Sequence, residues 1–225
     1  HYLHAFESVR ARNNQLVGMQ NEIRRNAPQL TSQYASTVFT DRVSTFFDLA
    51  SAALITGLTN VVSIRADWLS VKYETFGFKT TSVHDIGHQK VTDNGLNREQ
   101  ARDVIRKFQI EQIAKLAGSL KAVPEGDGTM LDNTMIIYFS DTGEAHHSAR
   151  KEWPFVIVGG RSHKMKTAGR YLRYPQYGKP GHKTIGNLYN TILEANGATP
   201  QDYFGQVDSQ LRDLDLKGPL SELVG

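Results

Sequence analysis

Acidic residues and histidines are concentrated in two short stretches of this sequence, and both carry side chains that can bind a metal ion. In one of them, Asp141, Glu144, His146 and His147 lie within seven residues. Carboxylate oxygen and imidazole nitrogen together suit zinc, manganese or iron better than an all-oxygen calcium or magnesium site. This stretch therefore predicts a transition-metal site.

The other stretch, residues 82–89, contains His84, Asp85 and His88. Asp85 and His88 are three residues apart, so one helical turn can direct both side chains to the same point. Gly87 lets the backbone approach a bound group closely. A histidine beside an aspartate is more often an exposed loop feature than a ligand pair. The metal-site interpretation therefore depends on the two stretches meeting in the fold.

Predicted strands and a helix surround these stretches. Residues 135–139 are apolar, β-branched or aromatic and predict a central strand that ends just before Asp141. Residues 153–158 predict a second strand, closed by two glycines, and residues 97–121 predict a long amphipathic helix. Ligand sites in open α/β sheets lie at the carboxyl ends of strands. A crossover connection could thus bring both stretches to one sheet edge.

Further elements support a layered α/β class. Helices are predicted over 4–27 and 184–196, and a deeply buried helix is predicted from Thr40 or Asp41 to Gly57. Val61 to Ile64 then predict a strand. We therefore expect a three-layer α/β/α sandwich with a largely parallel sheet.

The overall composition excludes several functional classes. The 225 residues contain no cysteine, which rules out disulfides, thiol catalysis and thiolate-bound metal. The formal charge of +3 is spread along the chain, so we expect no nucleic-acid partner. No apolar run reaches the roughly 20 residues of a membrane span. A protein partner, including a second copy of the chain, is compatible with this composition.

Residues 161–182 form a basic and aromatic segment that contains Lys166 and Arg170. One interpretation is a lid or anion-binding loop in which these two side chains clamp the substrate. A solvated loop excursion explains the same composition equally well.

The sequence resembles the HXXSHH family of exported proteins. The motif reads His84-Asp85-Ile86-Gly87-His88-Gln89, with glycine in place of the family's serine and glutamine in place of its last histidine. Residues 131–134, 169–173 and 187–189 are also similar to that family. The resemblance covers nearly the whole chain, and it implies an exported protein, periplasmic or extracellular.

A deeper resemblance is to the alkaline phosphatase superfamily, which includes sulfatases. It is carried by Asn133-Thr134 and by Ser140-Asp141-Thr142-Gly143. It implies that residues 1–225 are a single alkaline phosphatase-like domain, the C-terminal portion of a longer chain. Thr142 stands where the superfamily has a second ligand. Nothing in residues 1–40 matches the superfamily's nucleophile, which is expected upstream if it exists.

This resemblance implies a metal-dependent hydrolase of phosphate or sulfate esters. The implied metal is zinc, with manganese, iron or calcium as alternatives. The predicted metal ligands are Asp85, His88, Asp141 and His146. The residues expected to orient these ligands or to bind substrate are His84, Glu144, His147, Lys166 and Arg170.

Two other functional classes compete with this hypothesis. The first is a non-catalytic extracellular scaffold or binding protein that retains the fold, for which Thr142 and the missing nucleophile are the evidence. The second is a metal-holding accessory module of a redox assembly, since the chain has no thiolate or haem-attachment motif of its own.

Overall fold

The computed structural model describes residues 2–88, 91–140, 152–211 and 213–224. The chain divides into two compact units, His1–Leu120 and Lys121–Gly225. In the described ranges the α-helices are α1 (Tyr2–Gly18), α2 (Gln20–Asn26), α3 (Phe39–Ile55), α4 (Val83–His88), α5 (Arg98–Lys121) and α6 (Ile185–Ala195). The strands there are β1 (Pro124–Glu125), β2 (Gly128–Thr129), β3 (Met135–Phe139) and β4 (Phe155–Gly159).

The predicted three-layer α/β/α sandwich with a largely parallel sheet is wrong. Within the described ranges the strands form two antiparallel pairs, β1 with β2 and β3 with β4. Residues 61–64, predicted as a strand, join neither pair, and Val61 is 80% exposed. A β-branched run favours extended backbone, but a strand also needs a neighbour for its hydrogen bonds. Among the described strands there is therefore no parallel pair that the predicted crossover could connect.

The N-terminal helices follow the predicted pattern with two differences. The predicted helix over 4–27 is divided at Met19 into α1 and α2. Gly57, with a φ of 66°, ends α3 as predicted. The deep burial predicted for α3 is wrong, because Phe46 and Leu49 are 42% and 47% exposed. No helix in the described part of the chain combines the length and the apolar character needed to cross a bilayer.

The core of the first unit contains Val71, Tyr73, Phe78, Ile86, Ala101 and Ile105. Helix α4 contributes Ile86, and the long helix α5 contributes Ala101 and Ile105. A capping box starts α5: Gln100 N donates to Asn97 Oδ1 at 2.9 Å, and Asn97 N donates to Gln100 Oε1 at 3.0 Å. Local capping and shared core burial therefore hold α4 and α5 in the same unit.

In the second unit, one helix and the C-terminal segment pack with the β3–β4 pair. Met135 pairs with Gly159 and Phe139 with Phe155. The core contains Met165, Leu188, Ala195, Leu220 and Leu223, with Met135, Phe155 and Ile157 packed against it. The buried Asn187 starts α6 in a capping box with Thr184, and its Nδ2 donates to the carbonyls of Leu216 and Gly218, each at 2.9 Å.

Candidate functional site

The short helix α4 carries three of the predicted site residues, and one of them starts the helix. Asp85 Oδ2 accepts hydrogen bonds from Ser82 N at 3.0 Å and from Ser82 Oγ at 2.6 Å. Asp85 N lies 3.2 Å from Ser82 Oγ, which completes a reciprocal cap. Ile86 is 2% exposed and anchors the helix in the core. The Asp85 carboxylate is therefore already engaged by the backbone and hydroxyl of Ser82.

His84 and His88 lie one helical turn apart, and their rings converge. Their Nε2 atoms are 3.4 Å apart, and their ring centroids are 4.7 Å apart at an interplanar angle of 63°. The other ring nitrogen of His84, Nδ1, lies 3.9 Å from Asp85 Oδ1. The side chains of His84 and Asp85 are 37% and 42% exposed, so both of these side chains can be reached from solvent.

Hydrogen bonds from Ser82 lower the pKa of Asp85 below its ordinary value of 3.8. The hydroxyl of Ser82 contributes most, followed by its backbone N–H, and the nearby His84 and His88 contribute less. Charge-assisted hydrogen bonds of this kind stabilise the ionised carboxylate. At neutral pH, Asp85 therefore presents a negative charge beside the two rings.

Asp85→Asn is expected to destabilise the first unit near neutral pH and to have less effect in acid. A carboxylate with a lowered folded-state pKa contributes stability that is complete above its unfolded pKa and is lost as the pH falls through its folded pKa. The difference in free energy of unfolding between wild type and variant should therefore shrink between about pH 6 and about pH 3. Urea unfolding at both pH values measures it. A difference that does not change with pH would contradict the role assigned to the charge.

The remaining predicted ligands and their neighbours, Asp141, Glu144, His146 and His147, lie outside the described residues. Within the described ranges, no group of three or more histidine and acidic side chains is arranged to hold a metal ion. The meeting of the two stretches thus stays a prediction. What the structure places together is His84, Asp85 and His88.

Arg170, predicted to clamp an anion, is hydrogen-bonded to backbone in the second unit. Its Nη1 donates to the carbonyl oxygen of Lys166 at 3.2 Å and to that of Glu222. Lys166 N in turn donates to Leu223 O at 2.9 Å, and the neighbouring Met165 is buried. The first part of the predicted lid segment is therefore fastened to the C-terminal residues, and Nη1 of Arg170 is already engaged by two carbonyl groups.

Two features of the first unit were missed from the sequence. Ser82 and Asp85 form the Ser-x-x-acid pattern that starts helices, which signals a capping role for Asp85. Arg98, Arg102 and Arg106 recur every four residues along α5, a spacing that places them on neighbouring parts of one helix face. Both signals are local and could have been identified in the sequence.

Comparison with known proteins gave no matching family model, no matching curated protein and no matching solved structure. The resemblance to the HXXSHH family and to alkaline phosphatases therefore stays a prediction based on motifs.

Proposed function

We propose that His84 and His88 together bind a divalent transition metal, and that this centre serves the hydrolysis of phosphate or sulfate esters. The observation that carries the proposal is the 3.4 Å distance between the two Nε2 atoms. In this arrangement Asp85, which was predicted as a ligand, places a negative charge 3.9 Å from Nδ1 of His84. The ester-hydrolase part rests on the motif resemblance.

The distance fits two nitrogen ligands of one tetrahedral ion. Zinc lies about 2.0–2.1 Å from a histidine nitrogen, and two such bonds at a tetrahedral angle place the nitrogens about 3.4 Å apart. A catalytic zinc site has about three protein ligands and a structural one about four. The two histidines therefore supply part of the ligand set that either kind of site requires.

A bound ion would supply charge stabilisation at the ester oxygens and an activated water. The chain's own contribution is to hold the two rings at the required separation. Capping by Ser82 fixes the start of α4, and Ile86 fixes its inner face. Because the histidines are four residues apart on one helix, a folded α4 places both side chains on the same face.

His88→Ala is expected to weaken zinc binding by at least about tenfold, because one of two converging ligands is removed. Elemental analysis of the purified chain and competition with a zinc chelator measure the stoichiometry and affinity. His4→Ala is the matched control, since it removes a histidine on α1 that is 93% exposed. Equal zinc affinity in wild type and His88→Ala would contradict the proposal. Hydrolysis of phosphate and sulfate esters, tested with the same three proteins, examines the catalytic part separately.

A non-catalytic scaffold is the second candidate function, and one observation favours it. Helix α1 has no buried residue, and its Tyr2, Phe6 and Val9 are 94%, 66% and 68% exposed. An apolar helix surface of this kind is typical of contact with another polypeptide. Ester hydrolysis that disappears in His88→Ala would argue against this candidate, whereas zinc binding without hydrolysis would support it.

A further inference from the structure

Helix α5 carries three arginines in a column. Arg98, Arg102 and Arg106 follow one another in steps of four residues, which on an α-helix spans about 12 Å. The first two also continue the buried stripe of the helix, which runs on through Ile105 and Gln109. The three arginines therefore lie near the start of α5, and the first two lie on the side of the helix that faces the core.

The two inner arginines are partly shielded from water, and no acidic side chain among the described residues forms an ion pair with them. Arg98 and Arg102 are partly buried, whereas Arg106 is exposed. The Nε of Arg98 is buried and has no hydrogen-bond partner. Among the described residues, none of the three guanidinium groups forms an ion pair. A buried donor without a partner is costly, so an acceptor that reached this guanidinium group would be bound favourably.

Other arginines of the chain have guanidinium groups that are paired with an acidic side chain. Arg173 donates from Nε and Nη2 to Glu152, with Nη2 at 2.5 Å, and Arg25 pairs with Glu22 at 3.3 Å. At Arg102, burial lowers the pKa, and the neighbouring positive charges of Arg106 and Arg98 lower it further, while Glu99 opposes them. The column thus concentrates like charges that disfavour one another until an anion is present.

We propose that Arg98 and Arg102, with Arg106 at the outer edge, bind a tetrahedral oxyanion, the phosphate or sulfate group of a small ligand. Guanidinium groups match such oxygens with paired N–H donors, and partial burial strengthens the bonds. Arg98 is also the first residue of a 24-residue helix, where the helix dipole favours negative charge. This inference does not depend on the metal centre.

Arg102→Gln is expected to weaken binding of inorganic phosphate and of sulfate by at least about tenfold, because it removes a charge-assisted donor pair. Isothermal titration calorimetry gives the affinities. Thermal unfolding gives a second measure, because an anion that binds only the folded chain raises its Tm. Without added anion the variant should be at least as stable as wild type, since a like-charge contact is removed, so misfolding would not mimic the expected result.

Lys107→Gln is the matched control. It makes the same charge change one residue beyond Arg106, on the opposite face of α5, and should leave anion binding unchanged. Sodium chloride at equal ionic strength is the control for screening. The proposal is overturned if phosphate raises the Tm no more than chloride does, or if Arg102→Gln and wild type bind phosphate equally.

The same measurements distinguish the anion site from the proposed metal centre. His88→Ala is expected to keep its affinity for inorganic phosphate while it loses zinc. Arg102→Gln is expected to keep zinc while it loses phosphate. Loss of phosphate binding in His88→Ala, with an unchanged Tm in the absence of ligand, would contradict an independent anion site.

Discussion

Gly159→Ala is expected to destabilise the second unit by about 4 kcal/mol, from added left-handed strain and overpacking against backbone. Gly159 closes β4 with a φ of 80°. A Cβ at this position would lie 2.2 Å from the carbonyl oxygen of Thr134 and 2.7 Å from that of Leu131. The Thr134 oxygen accepts a hydrogen bond from Gly160 N at 2.7 Å, so it cannot move aside cheaply. The end of the β3–β4 pair would have to open.

Gly169→Ala distinguishes the cost of left-handed backbone strain from the cost of overpacking. Gly169 also has a positive φ, 64°, but a Cβ there meets no atom within 4 Å. Its replacement should cost only about 1–2 kcal/mol, the strain of a left-handed residue. Urea unfolding of both variants, each with Trp68 replaced by Phe so that Trp153 is the fluorophore, measures the difference. Equal costs at the two positions would show that the Thr134 and Leu131 carbonyls do not determine the effect.

Phe78→Ala is expected to cost about 3–5 kcal/mol in the first unit, as for other fully buried aromatic side chains. Phe78 is 0% exposed and packs in the same core as Ile86 of α4 and Ile105 of α5. The variant should leave a cavity beneath α4, since its neighbours are held by the helices that carry them. Chemical denaturation followed by the fluorescence of Trp68, which lies in this unit, measures the loss.

Leu30→Ala is the control for this prediction, because Leu30 belongs to the same unit and is 87% exposed. It should change the free energy of unfolding by less than about 0.5 kcal/mol. Phe78→Ala should also weaken zinc binding at His84 and His88, since a loosened α4 no longer holds the rings together. A Phe78→Ala variant as stable as Leu30→Ala would contradict the assignment of this core.

Local sequence signals predicted the long helices well. The predicted helix over 97–121 is confirmed as α5, with Asn97 as its cap, and the one over 184–196 is confirmed as α6. These features depend on apolar spacing and on hydrogen bonds between residues three or four apart. The strands predicted at 135–139 and 153–158 are also confirmed in existence, as β3 and β4.

Non-local features were predicted less well. The apolar composition of β3 and β4 is compatible with a parallel or an antiparallel neighbour, and the structure pairs them antiparallel. Val61 and its neighbours have strand-like composition without a strand partner. Phe46 and Leu49 are apolar and yet nearly half exposed. In each case the outcome depends on which distant segment packs there, and the local pattern carries no information about that.

For the candidate site, the sequence alone identified the chemistry of the histidines and the aspartate in residues 82–89, because residue type and spacing within one turn are local properties. Only the tertiary structure decided that Ile86 of α4 is buried in the core, and that Arg98 and Arg102 are partly buried with no ion pair among the described residues. The physical reason is that burial and partner choice depend on contacts made by the folded chain. Side-chain chemistry and helix periodicity are properties of the sequence itself.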